Sequence, residues 1–211
     1  MRCVWCRASA RNRLMARTIC RTYHGRCIAA LVKDRALSFH ELDVYEVQAA
    51  GPIHKRFKRL PRYVCSEYWD DIAPGGSRDG VRCENLEMLT FSDESFDLII
   101  HQSVLEHVEN PDAALAECAR VLRPDGRMVF EVPVCDYEVP TMRPLSRRRR
   151  SDEPLFHIDA LRPGGVLVVT DFGLDVVDQM ERLGFRVDVI TEHYRDSLIA
   201  HCAVFSCRLA S

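Results

Sequence analysis

A group of polar residues follows what looks like a buried strand. His101 and Gln102 come directly after the apolar run Phe96–Ile100, which has the composition of a strand in a sheet core. Two further histidines, His107 and His157, lie downstream. A histidine nitrogen can remove a proton from a hydroxyl group near neutral pH. The three histidines are therefore the candidate catalytic residues, although His107 could be a structural histidine near a turn and His157 an ordinary loop histidine.

The elements that must position these side chains begin at residue 42, where short apolar runs alternate with helical patterns. This alternation predicts βαβ units and a mostly parallel sheet. Strands are predicted at Leu42–Val47, Arg62–Ser66, Val81–Cys83, Phe96–Ile100, Arg127–Val132, Gly165–Thr170, Arg186–Ile190 and Ile199–Leu209. Helices are predicted at about 12–22, 53–60, 104–107, 111–122 and 174–183. The last two strands have no helical pattern between them and are expected to form an antiparallel pair.

This α/β pattern explains why His101 follows a buried strand. Ligands of a doubly wound sheet bind outside the carboxyl ends of its strands. We therefore expect His101, as the first residue after Phe96–Ile100, to line a pocket at that edge.

The chain divides into two parts by composition. Residues 1–40 are rich in cysteine and arginine and are predicted to form a helical appendage, and residues 41–211 form the main domain. Within that domain, residues 136–162 are rich in proline and aperiodic, which is typical of a lid or an insertion. Cys3 and Cys6 have the spacing of half a zinc site, and without the other half we predict no metal there.

Charge and hydropathy exclude several classes of partner. The net charge is −2, so we expect no nucleic-acid partner, and the run Arg147–Arg150 is interpreted as a solvated loop rather than a nucleic-acid patch. No apolar run approaches the ~20 residues of a membrane span, and we expect neither a membrane partner nor a signal peptide. The ten cysteines are scattered, which favours reduced thiols and a cytoplasmic protein. The oligomeric state is left open.

The segment "ENLEMLTFSDESFDLIIHQSVLEHVENPDAALAECARVLRPDGRMVFEVP" resembles the central part of class I S-adenosylmethionine-dependent methyltransferases. It is most similar to their small-molecule branch, in which L-x-F-x-D-x-S-F-D, V-L-E-H-V and R-V-L-R-P-G-G occur in this order. The resemblance covers about residues 42–135, and "GGVLVVTDFGLDVVDQMERLGF" continues it. "CRASARNRLMART" is similar to half of a zinc-knuckle module that precedes this domain in some bacterial proteins.

The resemblance implies a Rossmann-like, mostly parallel, seven-stranded sheet with an antiparallel final strand. It implies S-adenosyl-L-methionine as cofactor and a small-molecule methyl acceptor, such as a sugar or a biosynthetic intermediate. The implied cofactor-binding residues lie at the ends of successive strands: Glu46, Ala49, Gly51, Glu67, Tyr68, Asn85, Leu86, His101 and Gln102. Glu67 would accept hydrogen bonds from the ribose hydroxyls of the cofactor. The alternative is that Asp70 or Asp71 is this acid and that Glu67 is an ordinary surface residue.

Two departures from the family pattern leave a second function open. The loop "EVQAAG" keeps only Gly51 of the family's usual glycines, and each added Cβ narrows the approach to a ligand. Asn85 stands where the family usually has aspartate. The alternative is a catalytically inactive relative with a binding or regulatory role.

Overall fold

The computed structural model describes residues 9–25, 27–33, 38–134, 146–149, 152, 154–159, 161–192 and 202–210. Predictions for Cys3, Cys6 and Arg150, and for residues 136–145, 151, 153 and 160 of the 136–162 segment, lie outside the described residues.

Five α-helices and twelve strands are described. The helices are α1 (Ala10–Thr22), α2 (Ile28–Lys33), α3 (Gly51–Phe57), α4 (Pro111–Val121) and α5 (Val176–Arg182), with 3₁₀ turns at Ser38–Glu41 and Leu105–His107. The strands are β1 (Val44–Glu46), β2 (Tyr63–Glu67), β3 (Ser77–Arg78), β4 (Val81–Cys83), β5 (Phe96–Gln102), β6 (Leu122–Glu131), β7 (Arg147–Arg148), β8 (Phe156–His157), β9 (Val166–Leu167), β10 (Thr170–Asp171), β11 (Phe185–Glu192) and β12 (Cys202–Leu209).

Eight strands form one sheet in the order β11-β12-β6-β5-β1-β2-β4-β3. The five neighbouring strands β4, β2, β1, β5 and β6 are parallel to one another. Strand β12 lies between β6 and β11 and is antiparallel to both. The strand order reverses between β1 and β5, which is the position where doubly wound sheets bind ligands. The predicted doubly wound fold and its antiparallel last strand are therefore confirmed. The short edge strand β3 adds one strand to the expected seven.

One predicted strand is not part of this sheet. Residues Gly165–Thr170 form parts of the short strands β9 and β10, which pair with β8 and β7 in two separate two-stranded sheets. Gly165 has φ +75°, and a Cβ on it would lie 2.5 Å from the carbonyl oxygen of His157. The glycine therefore allows the turn that leads into β9, where the apolar composition had suggested a core strand.

The N-terminal helix is part of the core and is not a separate appendage. Leu14, Met15 and Ile19 of α1 are buried in the same cluster as Leu98 of β5 and Val129 of β6. A parallel sheet must be covered on both faces, and α1 covers the face opposite α4. The expected division near residue 40 thus does not coincide with a break in the core.

Helix α4 begins as its sequence predicts and fixes the loop before it. The side chain of Asn110 accepts a hydrogen bond from the N–H of Ala113 at 3.1 Å, and Pro111 occupies the first turn. The carboxylate of Glu87 accepts hydrogen bonds from the backbone N–H groups of Glu109 and Asn110. These caps anchor the end of the loop that carries His107.

Candidate functional site

The loop after β1 lies against the acid that ends β2. The N–H of Ala49 donates a hydrogen bond of 2.8 Å to Oε1 of Glu67. Gly51 follows with φ +95° and opens helix α3, a conformation that an L side chain rarely adopts. The one glycine retained in "EVQAAG" is thus at the position where the backbone requires it.

Glu67 is a better candidate for the ribose acid than its neighbours. Its side chain is 10% exposed and lies at the carboxyl end of β2. Burial raises the pKa of this carboxyl, while the Ala49 N–H and Arg162 lower it. Asp71, in contrast, lies beyond the strand and pairs with Arg78 at 2.6 Å. The geometry therefore favours Glu67 over Asp71.

Arg162, from the predicted lid, contacts this acid. Its guanidinium lies 3.3 Å from Oε2 of Glu67 and 3.2 Å from Asp159, and it donates a 2.6 Å hydrogen bond to the carbonyl of Tyr68. The sequence analysis missed Arg162 because it lies almost 100 positions from Glu67 in an aperiodic segment. Its contacts place the C-terminal end of this segment beside the carboxyl end of β2.

The expected adenine contact lies in a turn after β4. The side-chain oxygen of Asn85 accepts the N–H of Glu87 at 2.9 Å, and a second lone pair on that oxygen can still accept a ligand donor. Leu86 is buried and Tyr68 is half exposed. These side chains have the polarity that a nucleoside requires, with one acceptor beside apolar surface.

Glu46 is buried in the interior at the end of β1. The hydroxyl of Tyr63 donates a 2.8 Å hydrogen bond to its Oε2. Burial raises the pKa of Glu46 to about 8, so this carboxyl is neutral below that pH. In this structure Glu46 therefore acts as a polar core residue.

The position expected for His101 is wrong. His101 lies within β5, which continues to Gln102, and it is fully buried with its ring stacked on Phe130 at 4.7 Å. Burial lowers its pKa to about 3, so the ring is uncharged. The strand is longer than its apolar run because the imidazole packs as an aromatic ring. Gln102, half-buried, is the residue at the strand end.

The other two candidate histidines meet at a single carboxylate. Nδ1 of His157 lies 3.3 Å from Oε1 of Glu106, and Nε2 of His107 lies 3.7 Å from the same oxygen. The two imidazole rings are 5.2 Å apart and nearly perpendicular. We call Glu106, His107 and His157 the histidine cluster. It forms because the lid hairpin of β8 and β9 lies over the loop after β5.

Backbone contacts hold this hairpin in place. The carbonyl of Leu167 lies 2.7 Å from Nδ1 of His107, and the N–H of Val169 donates to the carbonyl of Glu106 at 2.7 Å. Only five positions separate His157 from Arg162, so their Cα atoms lie at most ~18 Å apart. The lid segment thus contacts the candidate cofactor acid and the candidate catalytic residues together.

A further buried acid was missed by the sequence analysis. Glu131, at the end of β6, accepts a 2.9 Å hydrogen bond from Ser103, and Arg11 of α1 lies 3.4 Å from it. Burial raises the pKa of Glu131 to about 7, and Glu106 contributes to that rise. No sequence signal joins Arg11 to this edge, because it lies in the part that was interpreted as an appendage.

Comparison with known proteins agrees with this architecture. Residues 57–130 match the family model described as "Methyltransferase domain". The solved S-adenosylmethionine-dependent methyltransferase from Mesorhizobium loti superimposes with a TM-score of 0.51 at 16% identity, over 79% of this chain and 90% of its own. Residues 57–130 thus match a methyltransferase domain, and the superposition shows the fold of S-adenosylmethionine-dependent methyltransferases.

A second solved methyltransferase covers nearly all of the chain. The 1,6-didemethyltoxoflavin-N1-methyltransferase of Burkholderia thailandensis, with bound 1,6-didemethyltoxoflavin and S-adenosylhomocysteine, has a TM-score of 0.52 at 17% identity. The superposition covers 97% of this chain and 92% of that one. At this identity the likeness supports the methyltransferase fold.

Curated relatives of this methyltransferase domain are similar over shorter stretches. A malonyl-[acyl-carrier protein] O-methyltransferase of Methylococcus capsulatus is 33% identical over 87 residues, which is 41% of this chain and 30% of the relative. A ubiquinone biosynthesis O-methyltransferase of Parvibaculum lavamentivorans is 47% identical over 47 residues, 22% of this chain and 19% of its own. The chain thus spans less than a third of the length of these two relatives.

A longer match extends this similarity. The malonyl-[acyl-carrier protein] O-methyltransferase of Laribacter hongkongensis is 31% identical over 150 residues, or 69% of this chain and 43% of the relative. Within the described residues of the methyltransferase domain, no helix has the length and apolar composition needed to cross a bilayer.

Proposed function

We propose that this chain transfers the methyl group of S-adenosylmethionine to a small-molecule acceptor. The observation that carries the proposal is the junction of Ala49 and Glu67, where the loop after β1 meets the buried acid that ends β2. This junction lies in a class I methyltransferase domain, beside the point where the strand order reverses. The methyltransferase family match and the S-adenosylhomocysteine-bound neighbour support the cofactor.

The residues at the strand ends fit the parts of this cofactor. Glu67 accepts hydrogen bonds from the ribose hydroxyls. In the cofactor-free chain its two carboxylate oxygens contact the N–H of Ala49 and the guanidinium of Arg162. The side-chain oxygen of Asn85 accepts a hydrogen bond from the adenine. The backbone at Ala49 and Gly51 approaches the methionine end of the cofactor. The bound cofactor supplies an activated methyl group on a sulfonium.

The histidine cluster provides the proton acceptor. A hydroxyl becomes a good nucleophile when it loses its proton, and an imidazole nitrogen performs this task near neutral pH. The side chain of His157 is 35% exposed and can be reached by an acceptor, whereas His101 is fully buried and has no place in this step. The acceptor oxygen bonds to the methyl carbon as the carbon–sulfur bond breaks, and the hydroxyl proton passes to a histidine nitrogen.

The acceptor is proposed to be a small molecule that is methylated on an oxygen atom. The curated relatives are named for O-methylation of malonyl-[acyl-carrier protein] and in ubiquinone biosynthesis.

Six cysteines among the described residues are free thiols: Cys20, Cys27, Cys65, Cys83, Cys118 and Cys207. Free thiols support the expected reducing, cytoplasmic location.

Thermal unfolding with and without ligand tests the proposal. S-adenosylmethionine at about 100 times its dissociation constant should add ~2.7 kcal/mol to the free energy of unfolding. S-adenosylhomocysteine should act similarly, and adenine alone should have little effect because it lacks the ribose and the methionine end. A melting temperature that millimolar cofactor leaves unchanged would support the inactive alternative.

A further inference from the structure

We propose that the histidine cluster is a binding site for a divalent transition-metal ion, with Glu106, His107 and His157 as its ligands. The ligand atoms of these three side chains all lie within 4.8 Å of one another. They come from the loop after β5 and from strand β8, which the lid hairpin brings together. The role of the ion in methyl transfer, argued below, rests on the proposed function, whereas ion binding itself does not.

The first argument is the state of Glu106. Its side chain is 2% exposed, and neither carboxylate oxygen has a hydrogen-bond partner among the described residues. A buried carboxylate without hydrogen bonds is costly unless a cation compensates it. Arg11, a nearby cation, is engaged with Glu131 and Ser103 instead. Glu106 is thus a buried carboxyl group without a hydrogen-bond partner in the described part of the chain, close to two imidazoles.

The second argument is the orientation of His107. The carbonyl of Leu167 can only accept a hydrogen bond, so Nδ1 of His107, 2.7 Å away, must carry the proton. In the neutral ring, Nε2 then presents a lone pair toward Glu106 at 3.7 Å. Two lone pairs that face each other repel unless a positive charge lies between them. A backbone carbonyl that fixes the ring in this way is the usual support of a metal-bound histidine.

The third argument is the spacing of the ligands. A tetrahedral metal site with bonds of about 2.0–2.2 Å to nitrogen and oxygen has its ligands about 3.3–3.6 Å apart. In the cluster, the carboxylate oxygen lies 3.3 Å from His157 and 3.7 Å from His107. The carboxylate oxygen therefore lies at nearly the required distance from both imidazoles, and the two histidine nitrogens, no more than 4.8 Å from each other, have to approach to complete the site.

The ligand set also indicates which ions fit. Two imidazoles and one carboxylate suit Zn²⁺, Co²⁺ and similar first-row ions, whereas Mg²⁺ and Ca²⁺ prefer sites built from oxygen. Three protein ligands leave at least one position for an outside oxygen. His157 is the ligand nearest to solvent, with 35% of its side chain exposed, so the open position can face an acceptor.

Under the proposed function, the ion binds the acceptor hydroxyl and favours its deprotonation. The metal charge lowers the pKa of a bound hydroxyl, so in the ion-loaded protein the proton leaves to solvent water. Transfer of the proton to a histidine nitrogen, as described above, then applies only to the ion-free protein. The metal-bound oxygen then bonds to the methyl carbon while the carbon–sulfur bond breaks and neutral S-adenosylhomocysteine leaves. This methyl transfer involves no change of oxidation state and therefore needs no oxidant or reductant.

The test measures metal bound to the full chain after chelator treatment. Cys3 and Cys6 are replaced with serine, so that thiols at the N-terminus do not compete for the ion. Equilibrium dialysis against Zn²⁺, and absorption spectra with Co²⁺, should show one ion per chain without thiolate charge-transfer bands. Mg²⁺ at the same concentration should not displace it.

Variants assign the site. His157→Ala and Glu106→Gln should each weaken Zn²⁺ binding at least tenfold, and His54→Ala, a histidine on α3 that bonds Tyr63, should bind Zn²⁺ like the parent. His157 is partly exposed, so its loss should leave the melting temperature of the metal-free protein nearly unchanged. A parent protein that binds no ion, or variants that bind it equally well, would overturn the proposal.

The same samples separate this proposal from the methyltransferase function. S-adenosylmethionine binding is measured on the metal-free protein. If the cofactor binds and no ion does, the metal site is wrong and the proposed function stands. If an ion binds at the cluster and no cofactor does, the metal site stands and the proposed function fails.

Discussion

The guanidinium of Arg162 lies 3.3 Å from the carboxylate of Glu67, the acid proposed to accept the cofactor's ribose hydroxyls. A second nitrogen of Arg162 donates to the carbonyl of Tyr68 at 2.6 Å. Arg162 therefore occupies an oxygen of Glu67 that the ribose would need. The ribose hydroxyls would therefore compete with Arg162 for this carboxylate.

The first prediction concerns this competition. Arg162→Ala should tighten S-adenosylmethionine binding several-fold, because a partly exposed ion pair contributes ~0.2–1 kcal/mol and no longer has to be broken. Titration calorimetry measures the change. Arg78→Ala, which removes the pair with Asp71, is the matched control and should bind like wild type. Weaker binding by Arg162→Ala would mean that the arginine contacts the cofactor itself.

The second prediction uses the buried acid Glu46. Its pKa in the folded chain is about 8, above the ordinary 4.5, so its stabilising contribution is fully present below about pH 4.5 and is lost as the pH rises toward 8. Glu46→Gln cannot ionise and still accepts the bond from Tyr63. The variant should gain stability relative to wild type by a few kcal/mol at about pH 8 and by almost nothing at about pH 4.

Melting curves of both proteins across this pH range check the prediction. Each kcal/mol corresponds to roughly 2–4 °C for a chain of this size. Wild type and Glu46→Gln should converge at low pH and diverge at high pH. Curves that stay parallel would show that Glu46 titrates near its ordinary value. The melting temperature of both proteins should still fall somewhat with rising pH, since the pKa of Glu131 is also raised, to about 7.

The third prediction concerns the lid hairpin. Gly165→Ala places a Cβ 2.5 Å from the carbonyl oxygen of His157 at φ +75°, so the hairpin must shift and displace His157 from Glu106. Gly164→Ala is the control, because nothing lies within 4 Å of its Cβ position. Limited proteolysis should cleave Gly165→Ala faster than Gly164→Ala within 154–169. Equal cleavage of the two variants would show that the hairpin tolerates the side chain.

The sheet was predictable because its apolar runs and helical patterns are local signals. Phe96–Ile100 and Arg127–Val132 were recognised as strands, and Glu67 was placed at a strand end from its distance along the chain. The lid contacts were not predictable, because Arg162 reaches Glu67 through the tertiary fold alone. His101 was misplaced because its type suggests a polar loop, whereas the buried ring packs like an aromatic residue.

The N-terminal helix shows the same limit of local reasoning. Its arginines and cysteines suggested a separate appendage, while its buried face was visible only as Leu14, Met15 and Ile19. Which surface that face covers depends on the sheet face left open by the later strands. Arg11 therefore reaches Glu131 through packing that composition does not encode.

The structure also changes the expected cost of losing Glu67. Removal of an ordinary surface glutamate would change the free energy of unfolding by no more than about 0.5 kcal/mol. Glu67 is instead mostly buried and accepts the N–H of Ala49. Leaving that donor without a partner costs ~1–3 kcal/mol, so Glu67→Ala should lower the melting temperature measurably.

The central claim is that Glu67 holds the ribose of S-adenosylmethionine, and titration calorimetry of the cofactor into wild type and Glu67→Ala tests it most directly. Wild type should bind one equivalent, and the variant should bind 10–100-fold more weakly at a temperature where it is folded, since a hydrogen bond to a charged acceptor contributes about 1.5–3 kcal/mol. Asp70→Ala and Asp71→Ala should bind like wild type. Equal affinity of Glu67→Ala and wild type, or no heat from wild type at millimolar cofactor, would contradict the account.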